Sequence, residues 1–142
     1  MQPMTDTGSH IVVLTKVYSA DRSTLFNLFR DGTVFKLTGA DNIQSVFETG
    51  GPFRLTFHNR GVIAGRFIEI TDAGITLEWN VDGFKMRPQT ETIVEISLVD
   101  DAGKCTLTLV HKNIVHEPSA VVKRKAWAEI LDDIERELQD KR

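Results

Sequence analysis

The run from Ser119 to Gln139 places Trp127, Ile130, Leu131, Ile134 and Leu138 at positions i, i+3, i+4, i+7 and i+11, on one stripe of a helix. Lys123, Arg124, Lys125, Glu129, Asp132, Asp133, Glu135, Arg136 and Glu137 fill most of the remaining surface. The helix is therefore amphipathic, and its apolar stripe needs a partner. Burying each stripe residue contributes roughly 1.5–3 kcal/mol before ordering entropy is subtracted. No other stretch offers so long an apolar helical face; the rest of the chain is dominated by alternating strands. The pattern predicts one long helix lying on a curved antiparallel sheet.

Ile11–Tyr18 is β-branched and apolar enough for a first strand. Ser19 and Asp21 then offer N-cap oxygens to a short helix carrying Leu25, Phe26, Leu28 and Phe29, which Asp31-Gly32 ends. Thr33–Leu37 reads as a second short helix anchored by Phe35 and Leu37. From Ile43 onward the period is two. Ile43–Thr49 leads into Gly50-Gly51, and Phe53, Leu55 and Phe57 share the next apolar face. His58–Gly61, Asp72-Ala73-Gly74 and Asp100–Gly103 supply turns, whereas Asp82–Pro88 reads as a looser loop. Ile75, Leu77, Trp79 and Val81 form one face; Thr92, Val94, Ile96 and Leu98 another; Cys105, Leu107, Leu109 and His111 the last. Short turns between successive strands imply an antiparallel meander of about six to seven strands, the first included. Between Val62 and Thr71 both faces carry apolar residues, so the alternation leaves open which one looks inward.

The chain has 142 residues with 41% hydrophobic content, enough for one domain with one core, expected over 11–142. Met1–His10 is polar, with neither a basic start nor an apolar core, so a disordered tail is expected there rather than a secretory signal. A net charge of −3 argues against a nucleic-acid partner, which phosphate neutralisation would require to be basic. The local cluster Lys123-Arg124-Lys125 reads as a solvated helix face. No stretch approaches the ~20 apolar residues of a membrane helix. The single cysteine, Cys105, excludes an intramolecular disulfide and fits a reducing compartment, so a cytoplasmic location is expected.

The order strand, two short helices, meander and long closing helix resembles the helix-grip architecture of the START-like, birch-pollen-allergen-like (SRPBCC) superfamily. Within it the chain resembles the family named after the activator of the 90-kDa heat-shock protein ATPase. The matching pieces are Thr15–Ala20 with Leu25-Phe26, the double glycine of Gly50–Arg54, Gly65–Ile70, Leu77-Glu78-Trp79, Thr106–His111, and Trp127 early in the final helix. They fall in the family's order, and the resemblance spans Ile11 to Leu138. The chain departs from the pattern at Thr33–Leu37, where many members carry a tryptophan-rich helix, and at Ala126, where many carry glycine. The resemblance implies an α+β helix-grip fold with a ligand cavity between sheet and helix, and a heat-shock chaperone ATPase as a possible partner.

Residues expected to line such a cavity are Phe35, Phe57, Phe67, Trp79, Leu109, His111 and Trp127. The aromatic ones read equally as core, since tryptophan on an apolar stripe usually packs. His111 continues the alternation of Cys105, Leu107 and Leu109, which points its ring inward. It is either the polar anchor of an apolar pocket or a histidine satisfied by an internal partner. His10, His58 and His116 are scattered and make no metal-ligand spacing with Cys105, so no metal is expected. Gly50-Gly51 lacks the following Lys-Ser of a phosphate loop, and no cofactor is expected. These glycines read as a bend in a curved strand. Glu69 and Glu78 lie on neighbouring strands, but alternation from Leu77 and Trp79 sends Glu78 outward.

The function expected from these features is non-catalytic binding of a small apolar or amphipathic ligand, by a monomer or weak homodimer. A chaperone-associated interaction domain is the alternative. A START-like cyclase or hydrolase is a second one, and would rest on His111 alone.

Overall fold

The structure, a computed structural model, describes residues 10–58, 61–82 and 92–140. Its elements are β1 (His10–Tyr18), α1 (Arg22–Arg30), α2 (Thr33–Leu37), β2 (Asn42–Ser45), β3 (Pro52–Phe57), β4 (Gly61–Thr71), β5 (Gly74–Asp82), β6 (Thr92–Asp101), β7 (Lys104–Ile114) and α3 (Glu117–Asp140). The strands form one seven-stranded sheet in the order β1-β7-β6-β5-β4-β3-β2. Every neighbouring pair is antiparallel. β2 to β7 is the predicted meander, and β1 returns to the far side of β7. This is the helix-grip fold. The tail expected over Met1–His10 and the loop expected over Asp82–Pro88 lie outside the described residues, apart from His10, which opens β1, and Asp82, which ends β5.

Local chemistry explains the opening. Asp21 takes the N-cap of α1, its carboxylate accepting from the Thr24 N–H at 2.8 Å and the Thr24 hydroxyl at 2.7 Å. These bonds, the hydroxyl's first, hold the Asp21 carboxyl below the usual aspartate range. Gly32 then adopts φ +86°, a left-handed conformation that costs glycine nothing and lets α2 start at once.

β2 is shorter than the predicted Ile43–Thr49. After Ser45 the chain leaves the ladder, with Val46 N–H on the Pro52 carbonyl at 2.9 Å and Gly51 N–H on Glu48 at 2.8 Å. The double glycine then docks on β4: Gly50 N–H donates to the Phe67 carbonyl at 2.7 Å, and Phe67 N–H to the Gly51 carbonyl at 2.8 Å. Gly50 supplies φ +85°, and a Cβ at Gly51 would overlap the Val46 carbonyl oxygen. The pair is therefore a tight docking turn rather than a bend within a strand.

β4 resolves its two apolar faces with a bulge. Phe67 pairs with Leu77 and Glu69 with Thr76, so Ile68 is the extra residue. Before it Ile63 and Phe67 face the core; after it the parity flips and Ile70 does, leaving Ile68 exposed. Uninterrupted alternation cannot reproduce such a strand.

α3 begins at Glu117, two residues before the predicted Ser119, with Pro118 in the first turn, where its missing N–H costs no helical bond. Its stripe of Trp127, Ile130, Leu131, Ile134 and Leu138 is buried throughout. The helix packs on β1, β7 and α2. Tyr18 ties it down by donating to the Leu131 carbonyl at 2.7 Å, and Lys16 lies 3.5 Å from Asp132. Because α3 covers the β1–β7 side, the opposite half of the curved sheet must be covered by something else.

Candidate functional site

What covers that half is a chain of aromatic rings. Phe35, the anchor of α2, stacks on Phe53 of β3 with centroids 5.1 Å apart and planes 19° apart. Phe53 meets Phe67 at 5.6 Å and Trp79 at 5.8 Å, and Trp79 meets Trp127 of α3 at 4.9 Å. Rings at these separations contribute beyond their buried area. They fill the space beneath α2 almost completely: the void among Phe35, Phe67, Leu77, Trp79, Val94 and Trp127 is about 20 Å³. That is room for about one water, and apolar walls give a water nothing to bond. Among the described residues this part of the interior is packed nearly shut.

The open space lies further out. Where the sheet curves away from the first half of α3, a cleft of about 340 Å³ opens. Phe57 (β3), Ile63 (β4), and Trp79 and Val81 (β5) form one wall. Val122, Lys123, Ala126, Trp127 and Ile130 of α3 form the other, and Thr38, just after α2, closes one end.

Behind the Trp127 wall runs a hydrogen-bond relay. The Trp127 indole N–H donates to His111 Nδ1 at 3.0 Å. An indole nitrogen is a donor only, so the histidine proton sits on Nε2, which stands 2.9 Å from the Thr92 hydroxyl and donates to it. The Thr92 hydroxyl in turn donates to the Trp79 carbonyl. His111 is fully buried, and both its ring nitrogens are used inside the protein. Burial first, and the charge of Lys123 second, push its pKa down to about 3, so the ring is neutral at physiological pH. The relay fixes the orientation of one tryptophan and touches the backbone of the other.

Of the residues expected to line a cavity, Phe57, Trp79 and Trp127 line the open cleft. Phe35 and Phe67 line the small void with both tryptophans. Leu109 is core, and His111 stands behind Trp127; neither reaches the cleft or the void. Sequence reasoning missed Lys123. Charge patterning groups it with Arg124 and Lys125 as solvated surface, yet it is half-buried while those two are exposed. The signal was there: Lys123 stands four residues before Trp127 and so continues the apolar stripe. Val81 shares the apolar face of Trp79 in the alternation, whereas Val122 and Ala126 lie off the stripe of α3.

Other chemistry-bearing groups lie elsewhere. Glu78 is on the outer face, only partly solvated, 3.6 Å from Arg66, and Glu69 is exposed. Cys105 is buried, with its thiol pKa raised chiefly by desolvation, as expected of core rather than a nucleophile. Among the described residues no group of His, Cys, Asp or Glu could hold a metal ion, and no helix is long and apolar enough to cross a membrane.

Residues 19–139 match the family described as activator of Hsp90 ATPase homolog 1-like protein. The chain belongs to that family. No curated protein matches the sequence. Among solved structures, an HSP90 activator from Plasmodium falciparum is 26% identical, with a TM-score of 0.61 over 75% of this chain and 74% of its own. A protein of Mesorhizobium loti superposes with a TM-score of 0.83 at 12% identity, over 94% of this chain and 99% of its own. An Aha1 dimer from Colwellia psychrerythraea gives 0.74 at 12% identity, over 89% and 93%. At such low identity the last two relate the fold alone.

Proposed function

We propose that this family member is a non-catalytic binding protein that takes a small apolar or amphipathic molecule into the cleft between α3 and β3–β5. The observation that carries this reading is the about 340 Å³ of open, largely apolar space between α3 and β3–β5, next to the packed rings of Phe35, Phe53 and Phe67. Small-molecule sites span ~300–1,000 Å³ and combine apolar walls with few polar groups. Here Lys123 and Thr38 are the polar members of the wall. His111 serves the site indirectly, by holding Trp127 in place.

The test is thermal stabilisation by a panel of apolar and amphipathic compounds, together with native mass spectrometry of the freshly purified protein. A ligand that binds only the native state raises its melting temperature. Ala126 is exposed in the cleft wall, so Ala126→Trp fills the space with little effect on the core. The expected result is a melting-temperature shift in the wild type that Ala126→Trp abolishes. A shift that survives Ala126→Trp places the ligand elsewhere and overturns the reading.

Family membership and the 26% identity to an HSP90 activator favour a second reading, a cytoplasmic partner of a chaperone ATPase. Under it, purified protein accelerates hydrolysis by a 90-kDa heat-shock ATPase, and Ala126→Trp has no effect on that rate. Whether the chain is a monomer or a weak homodimer is read by sedimentation at several concentrations.

A further inference from the structure

We propose that the cleft selects amphipathic monocarboxylates, Lys123 receiving the carboxylate and the aromatic and aliphatic walls receiving the chain. The inference rests on the reading of the cleft as a binding site and adds the chemistry of its occupant.

Lys123 stands out from the other half-buried cations. Among the described residues Lys16, Arg22 and Lys112 are also half-buried, and each has a carboxylate: Asp132 at 3.5 Å, Asp72 at 3.7 Å and Glu95 at 2.8 Å. Among the described residues Lys123 has none; the partner its Nζ bonds there is the Ser119 hydroxyl, at 3.0 Å. Asp132 and Asp133, further along α3, pair with Lys16 and Arg136. A partly desolvated ammonium without a counter-ion is costly, and burial lowers its pKa. A bound anion removes that cost.

The surroundings define the rest of the ligand. Apart from Lys123 and Thr38 the walls are apolar, including Val122, which is 67% exposed at the rim. A molecule that matches one cation and an apolar trough is charged at one end only. A carboxylate carries a single charge, as Lys123 does, whereas a phosphate monoester carries nearly two. An ammonium headgroup would face Lys123 as a like charge. A cleft at the small end of the range for ligand sites suits a medium-length chain or one aromatic ring.

The chain's two tryptophans, Trp79 and Trp127, both line the cleft, so intrinsic fluorescence reports directly on occupancy. Decanoate, decan-1-ol, decyl phosphate and decyltrimethylammonium are titrated at pH 8, below their micelle concentrations, into the wild type, Lys123→Met and Lys123→Arg. Lys123→Met keeps the aliphatic stem and removes the charge. Decanoate is expected to bind the wild type about ten- to a hundredfold more tightly than decan-1-ol, the size of a charge-assisted hydrogen bond. Lys123→Met then brings decanoate down to the decan-1-ol level with decan-1-ol unchanged, and Lys123→Arg keeps the preference. Equal binding of acid and alcohol by the wild type, or a preference that survives Lys123→Met, overturns the role of Lys123 while the cleft stands. Tighter binding of decyl phosphate than of decanoate overturns the choice of carboxylate. Binding of none of the four overturns the cleft reading itself.

Discussion

His111 is a residue whose apparent function changes once its partners are known. As a lone polar side chain in an apolar alternation it invites a catalytic role, but it accepts from Trp127 and donates to Thr92, leaving no ring nitrogen for a substrate. His111→Leu strands the indole N–H and the Thr92 hydroxyl, and is expected to cost about 2–4 kcal/mol by chemical denaturation, as unsatisfied buried polar groups do. His111→Gln can replace both bonds and is expected to cost about 1 kcal/mol. The pH dependence follows from the same geometry. The unfolded chain protonates this histidine near ~6.5 and the folded protein near about 3, so between those values the unfolded state binds more protons. Stability therefore falls as pH drops from about 6.5 toward 3, and His111 adds no further loss below that. Subtracting the His111→Gln stability curve from that of the wild type isolates this component from the carboxylates; a flat difference would mean that His111 titrates normally. Gly65 makes a second prediction at this scale. A Cβ there would overlap the Glu78 carbonyl of the adjacent strand, so Gly65→Ala is expected to destabilise by about 1–3 kcal/mol, read from its urea midpoint.

At the scale of elements, α2 is the short helix that decides whether the interior is a cavity. It spans only Thr33–Leu37, yet it carries Phe35 onto Phe53, Phe67 and Trp79. Phe35→Ala is expected to cost about 3–5 kcal/mol and to leave a cavity where the ring was. In an Ala126→Trp background, which fills the outer cleft, benzene or xenon should then stabilise the Phe35→Ala variant and not its Phe35 parent; equal stabilisation of both would mean that the interior is already open. The elements themselves were largely legible from the chain. Asp21 as a cap, the punctuation at Asp31-Gly32 and the turn at Asp72-Ala73-Gly74 are local signals, and the local signal won. β4 was not legible, because a bulge at Ile68 changes parity in mid-strand and only the partner strand reveals which residue is extra. The end of β2 was misjudged for a related reason: Val46–Gly51 leaves the ladder to reach β4, a contact invisible from within the segment.

For the whole molecule, one sheet and one core cluster join every element of the described residues except the outer half of each amphipathic strand. Unfolding is accordingly expected to be a single cooperative transition, in which fluorescence of the buried tryptophans and far-ultraviolet dichroism change together; separated midpoints would show that the β2–β4 half opens independently. The amino-acid sequence by itself determined the helix-grip order of elements, the apolar stripe of α3, the inward faces of β3, β5, β6 and β7, and the burial of Cys105 and His111. All of these follow from periodicity and turn chemistry, which are properties of neighbours along the chain. The tertiary structure alone decided that Phe35 and Phe67 pack together under α2, that Trp127 and Trp79 also line an outer cleft, and that Lys123 lines that cleft with no carboxylate of the described residues beside it. A filled core and a lined pocket use the same apolar residues, and what separates them is the curvature of the sheet relative to the helix, which long-range pairing and packing fix.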